Sequence, residues 1–313
     1  MNILVFGKDG QLGRAFQDQL KSAPFQTGNN ICFIGRSECD LSNPSQIHSL
    51  LQASAPQMII NAAAYTAVDK AETESDLAFA INANAPGLMA QYAAEHDATL
   101  LHFSTDYVFE GSKQVEYTEL DQTNPLGIYG KSKEAGELAI ITAFANYSVG
   151  RYAILRTSWV YGDGSNFIKT ILRLAKERSA LRVINDQYGV PTSAAWLAEV
   201  GIHLVLDDNR LRQFTSGIYH AVPQGGTNWY GLACLVVQTA LEAGQKLQAS
   251  PTTITPIPAS EYPLPAPRPM NSRLSTNKLQ IELEHLGLVS KLHHWNTPWD
   301  KQVRAYVKQL FVN

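Results

Sequence analysis

Ile3-Leu-Val-Phe6-Gly7-Lys-Asp-Gly10-Gln-Leu-Gly13 opens the chain, and its reading decides the fold. Four apolar residues in a row suit a strand buried on both faces. The glycines permit a tight turn and a close backbone approach. Phe16 and Leu20 continue the stretch at helical spacing. Strand, glycine turn and helix together form the context of a phosphate-binding fingerprint, because the first turn of a helix offers free N–H groups to an anion. Gly7, Gly10, Gln11, Leu12 and Gly13 are therefore the first candidates for cofactor contact. The spacing is Gly-x-x-Gly-x-x-Gly, one residue longer in its first gap than the commoner dinucleotide form.

The same alternation repeats outward from this turn. Ile31-Cys-Phe-Ile34, Met58-Ile-Ile60, Thr99-Leu-Leu-His-Phe103 and Tyr152-Ala-Ile-Leu155 read as further strands. Helical patterns lie between them: one capped by Ser42 or Asn43 with Pro44 in its first turn, one over Thr73 to Glu95, and one from Tyr129 to about Ala145. Strands alternating this regularly with helices predict a doubly wound parallel α/β sheet of the Rossmann kind. In such a sheet ligands lie beyond the carboxyl ends of the strands. The small residues Ala62, Ala63 and Ala64, with Tyr65 and Thr66, follow the third strand and fall at that edge. Ser104-Thr105-Asp106-Tyr107 follows the fourth, and Trp159 and Tyr161 follow the fifth, either as stacking partners for a base or sugar or as core aromatics.

Past about residue 160 the alternation degrades. The expected division is a dinucleotide-binding domain over residues 1–160, to which a stretch at about 181–210 returns, and a smaller, partly interleaved substrate-binding lobe over 161–313. Leu181-Arg-Val-Ile184 reads as a strand, Ile218-Tyr-His-Ala-Val222 as a short one and Thr227 to Ala243 as a helix. Residues 251–269 hold seven prolines in 19 positions and read as an ordered loop. Beyond them Arg268 and Arg273 either meet phosphates or are solvated.

At 313 residues, with 45% hydrophobic and 17% charged, the chain can bury a sizeable core. A net charge of −3, with no basic run, argues against nucleic acid or a membrane surface as partner. Three cysteines without metal-like spacing fit a reducing compartment. No apolar run approaches the ~20 residues of a membrane span, and the apolar start is too short for a signal sequence. The expected location is the cytoplasm.

The chemistry centres on Tyr129-Gly-Lys-Ser-Lys133. Positions i and i+4 share a helix face, so the phenol and the ammonium point the same way. A nearby cation favours the phenolate, and such a pair can pass a proton to a substrate oxygen. With the Thr105 hydroxyl at the same sheet edge, the constellation is Thr105, Tyr129 and Lys133. Arg36 stands just past the second strand, where an arginine suits a 2′-phosphate and an acid would bond a 2′-hydroxyl. The reading favours NADPH and still admits NADH. Asn82 and Asn84, poor helix formers on an inward face, serve either a site or a local backbone bond.

Taken together, these stretches resemble the extended short-chain dehydrogenase/reductases. Within them the chain is similar to the dTDP-4-dehydrorhamnose reductase family, through Asn61-Ala-Ala-Ala-Tyr-Thr-Ala-Val-Asp-Lys-Ala-Glu72, Ser104-Thr-Asp-Tyr-Val-Phe109, Arg156-Thr-Ser-Trp-Val-Tyr161, Asn185-Asp-Gln-Tyr-Gly-Val-Pro-Thr192 and Arg268-Pro-Met-Asn-Ser-Arg-Leu274. The resemblance implies hydride transfer to the C4 ketone of dTDP-4-dehydro-β-L-rhamnose. Tyr129 would be the acid, with Lys133 lowering its pKa and holding the nicotinamide ribose, and Thr105 would bond the substrate oxygen. Asp40 and Leu41 would lie near the adenine, and Ala64, Tyr65 and Thr66 along the cofactor. Thr105, Asp106, Tyr107, Trp159 and Arg268 would meet the sugar nucleotide. It also implies a role in dTDP-rhamnose supply for lipopolysaccharide or O-antigen, and it allows a homodimer. Some members hold a divalent metal such as Mg²⁺ through glutamates; this chain has Ala15 and Ala195 at the aligned positions, so no metal is expected there. Two alternatives stay open: an epimerase or dehydratase on the same fold, and a non-catalytic dinucleotide-binding subunit. Tyr107, where dehydratases tend to carry Glu, speaks against the dehydratase.

Overall fold

The computed structural model describes residues 1–21, 25–292 and 294–312. Its centre is a six-stranded sheet, parallel throughout. In chain order the strands are β1 (Asn2–Phe6), β2 (Asn30–Ile34), β3 (Met58–Asn61), β4 (Thr99–Thr105), β5 (Arg151–Thr157) and, far later, β7 (Gly217–His220); β6, outside this sheet, is Leu181–Ile184. Across the sheet the order is β7-β5-β4-β3-β1-β2. The winding reverses between β1 and β3, and that switch point is where an open parallel sheet leaves a crevice for a ligand.

Alternation within the strands builds the two helix layers. Ile3, Val5, Met58, Ile60, Leu101 and Leu155 pack on one face against Phe16 and Leu20 of α1 (Gln11–Lys21) and against Ala194–Val205. Leu4, Phe6, Ile59, Leu100 and Ile154 face the other way, against α2 (Pro44–Ser54), Ala85–Glu95 and Ile128–Phe144. Both faces are covered, which is why these strands read as unbroken apolar runs.

Helix α2 is capped by Asn43, whose side chain accepts from the N–H groups of Ser45 and Gln46, with Pro44 in the first turn. The expected helix over 73–95 is present with a change of pitch: α3 (Ser75–Phe79), a π-turn over Ala80–Asn84, then α4 (Ala85–Glu95). Next comes the long helix α5 (Ile128–Phe144), which carries Tyr129 and Lys133.

A third core gathers α6 (Phe167–Glu177), α8 (Trp229–Glu242) and α10 (Trp299–Gln309) around β6 and β8 (Ile254–Ile257). Of the stretch expected to return to the main sheet, α7 (Ala194–Val205) does so as a helix lying on it. Strand β6 does not: it pairs in parallel with β8, residue 181 opposite 254 through 184 opposite 257. The sheet takes instead Gly217–His220, bonded to the outer edge of β5. The proline-rich stretch departs from a plain loop as well. It contributes β8, in which Pro256 is tolerated because a two-stranded ribbon has only edges. A further helix, α9 (Asn277–His285), packs against β7.

Candidate active site

A cavity of about 840 Å³ lies along the carboxyl ends of β1 to β5. Its floor is the switch point. Gly7 takes φ 86°, and a Cβ there would stand 2.7 Å from the backbone nitrogen of Ala63. Only glycine fits so close to the neighbouring strand end. Helix α1 begins at Gln11, so the N–H groups of its first turn have no intrahelical partner. Gly10, Gln11 and Leu12 line the cavity beside Ala62, Ala63, Ala64, Tyr65 and Thr66. Gly13 does not. A Cβ there would fall 1.9 Å from the Gly7 carbonyl oxygen, so this glycine serves the approach of helix to strand instead of touching a ligand.

At the β2 end, Arg36, Asp40 and Leu41 line the cavity. Of the acids nearby, Glu38 and Asp40 have partners of their own, while Asp9 also lines the cavity. Glu38 binds the Lys8 ammonium at 2.5 Å and the Gly35 N–H at 2.8 Å, and Lys8 holds its carboxyl down at about 2. Asp40 accepts from the N–H and hydroxyl of Ser42 and lies below the usual carboxylate range. Arg36, whose charge also acts on Asp40, is the cation at this end of the cavity, which fits a 2′-phosphate. Charge-assisted hydrogen bonds contribute roughly 1.5–3 kcal/mol. Arg36→Ala should accordingly raise the KM for NADPH about tenfold or more and leave that for NADH nearly unchanged; equal changes in steady-state kinetics would take Arg36 out of this role.

The other end gathers Thr105, Asp106, Tyr107, Tyr129, Lys133 and Trp159. Burial pushes the Tyr129 phenol up to about 12, partly offset by a hydrogen bond with Thr105, and the Asp106 carboxylate adds to the rise. The Tyr107 ring meets that of Tyr129 edge-on, centroids 5.5 Å apart. Burial also raises the Tyr107 phenol. Thr105 donates to Asp106 at 3.1 Å and accepts from the Tyr107 N–H at 3.2 Å. Burial lifts Asp106 to about 6 against the hydrogen bonds of Ser272 and Thr105.

Lys133 is 1% exposed. Its nitrogen donates to the Phe103 carbonyl at 2.6 Å and lies 3.3 Å from Nε2 of His102. Burial brings it down to about 8 while Glu137, one turn on, favours its charge. The phenol is thus raised by burial and not lowered by the lysine as expected. Glu137 itself holds Arg156 in a buried two-pronged pair at 2.6 and 2.8 Å.

Asn82 answers the question its position raised. In the π-turn, it accepts from the Tyr65 N–H at 2.8 Å and donates to the Tyr65 carbonyl at 3.0 Å and to Ser132 at 3.0 Å. Ser132 in turn bonds the Tyr129 carbonyl at 2.8 Å. One amide therefore ties the loop after β3 to the helix that carries Tyr129.

Arg268, expected at the substrate, stands close enough to Tyr107 for its charge to act on that phenol. It pairs with Asp69 at 2.9 Å and bonds the Ala266 carbonyl, and it is not part of the cavity wall. Tyr161 is a core aromatic, 2% exposed. Trp159 takes φ 48° and stacks on Trp229, centroids 3.6 Å apart. A left-handed tryptophan is strained, and such strain concentrates at functional sites. Sequence reading missed Trp229, whose pairing spans 70 residues. It also missed His102, although a histidine inside an otherwise apolar strand was a visible signal. Among the described residues no three His, Cys, Asp or Glu side chains are grouped to hold a metal, and no helix is long and apolar enough to cross a membrane.

The sequence matches the family model described as the RmlD substrate binding domain over residues 1–310. The chain belongs to that family. It is 46% identical over 284 residues to the dTDP-4-dehydrorhamnose reductase of Salmonella typhimurium, covering 90% of this chain and 91% of that protein. The Escherichia coli enzyme of the same name is 45% identical over 99% of this chain and 98% of its own length. Among solved structures, the Bacillus anthracis dTDP-4-dehydrorhamnose reductase in complex with NADP superposes with a TM-score of 0.81 at 31% identity, covering 98% of each chain. The RmlD family resemblance thus runs through the sheet, the cavity and the third core alike.

Proposed function

We propose that this chain reduces the C4 ketone of dTDP-4-dehydro-β-L-rhamnose to dTDP-L-rhamnose with NADPH, the last step of dTDP-L-rhamnose synthesis, in the cytoplasm. The observation that carries the reading is the meeting of Thr105, Tyr129 and Lys133 at one end of a cavity whose other end presents a glycine turn and Arg36. Bound NADPH supplies a hydride to the carbonyl carbon, leaving charge on its oxygen. Tyr129 is the acid that gives its proton to that oxygen. Lys133, as ammonium, favours the resulting phenolate. Thr105, beside the phenol, orients the carbonyl oxygen. Asp106 and Tyr107 would contact the sugar, and Trp159 the nucleotide.

The reading is tested by a spectrophotometric assay of NADPH oxidation with dTDP- and UDP-linked 4-keto-6-deoxy sugars. Turnover with the dTDP ketosugar supports it. Tightly bound NAD⁺ in the purified protein, with turnover in the absence of added reductant, would favour an epimerase or dehydratase instead.

A further inference from the structure

Behind Lys133 lies a second polar pair to which the reaction gives no part. Asn61 and His102 are opposite each other in the register of β3 and β4, and both are fully buried. Oδ1 of Asn61 accepts from the Ala63 N–H at 3.2 Å, which turns its NH₂ towards Nδ1 of His102 at 3.1 Å. An amide nitrogen only donates, so Nδ1 must carry the lone pair and Nε2 the proton. Nε2 faces the Lys133 nitrogen at 3.3 Å. A neutral amine accepts from that N–H, whereas an ammonium sets donor against donor.

We propose that Asn61 and His102 are positioning residues for Lys133: the amide fixes the imidazole tautomer, and the imidazole opposes the charged form of the lysine. To seat an ammonium comfortably, the ring must move its proton to Nδ1 and the Asn61 amide must turn, giving up its bond to Ala63. The other charged groups around the pair are few. Glu137, on α5, favours the ammonium, and its own charge is held by Arg156 from β5. Tyr129 stands one turn back on α5, with Asp106 acting on it. Burial lowers the lysine's proton affinity and Glu137 raises it; in this proposal the Asn61–His102 pair adds to the lowering.

The inference rests on the reductase reading only for its kinetic arm. Nitrogen-15 spectroscopy of imidazole-labelled protein, with the His102 signal assigned by its loss in His102→Phe, reads the tautomer without substrate or cofactor. The expected result is Nε2–H in the natural chain. Asn61→Asp should give Nδ1–H, because a carboxylate accepts from both Ala63 and the ring. In the ketosugar assay, the alkaline limb of kcat/KM reports groups of the free enzyme. Asn61→Asp should move that limb up by about one pH unit, a tenfold change in proton affinity. Made in a His102→Phe background, the same substitution should move it by less than half as much, since only the direct effect of the new charge remains. Nδ1–H in the natural chain, or an equal movement with and without the imidazole, would overturn the proposal. If Asn61→Asp does not fold, the tautomer of the natural chain decides. Failure of the natural chain to reduce the ketosugar would sink the function and leave the tautomer result standing.

Discussion

Tyr129→Phe is expected to cut turnover by at least ~10²-fold while NADPH binds as before. General acid catalysis by a positioned side chain typically contributes 10²–10⁴-fold, and no other hydroxyl replaces this one without moving. Thr105 donates to Asp106, and burial makes the Tyr107 phenol a weaker acid than a free phenol. Phenylalanine preserves the ring and so the edge-on contact with Tyr107, which confines the change to the proton. Because the lost interaction belongs to the transition state, kcat and kcat/KM should fall together. Fluorescence titration with NADPH and steady-state rates on the ketosugar measure the two halves separately. Near-full activity would remove Tyr129 from the acid role.

The second large effect concerns stability. Glu137 and Arg156 are both about 3% exposed and bind through two hydrogen bonds. The guanidinium also lies over the Phe109 ring, 5.0 Å from its centroid. Removing one partner of such a pair strands a charge in the interior, at roughly 3–5 kcal/mol. Native domains are stable by only about 5–15 kcal/mol, so Glu137→Gln should shift the urea midpoint markedly downward. Replacing both, Glu137→Leu with Arg156→Met, should recover most of the loss, because well-packed apolar residues commonly match a buried ion pair. A Glu137→Gln protein within ~1 kcal/mol of the parent would mean that water or backbone already compensates Arg156.

What could be read in advance follows from what each signal depends on. β1 to β5 were legible because a strand covered on both faces must be apolar throughout, a property of four or five consecutive residues. The gathering of Gly7, Ala63, Thr105 and Tyr129 at one edge followed from the rule that parallel strands present their carboxyl ends together. Partners distant in the chain were not legible. Nothing local says that Ile218 lies beside Ile154, that Leu181 lies beside Ile254, or that Arg268 reaches back to Asp69. The hydroxyl, phenol and amine were found from their types and spacing. The fine balance of their charges was not, since burial is a property of the folded whole.

The late arrival of β7 governs how the molecule can be made and cut. Its residues come some sixty positions after β5, and α6, β6 and α7 are formed in between. A chain halted at residue 160 would leave the backbone of β5 unpaired along its outer side and the apolar face beneath α7 bare. Open edges of that kind recruit other chains. The first 160 residues are therefore not a detachable module: expressed alone they should self-associate, and a nascent chain must emerge past residue 220 before its largest sheet can close.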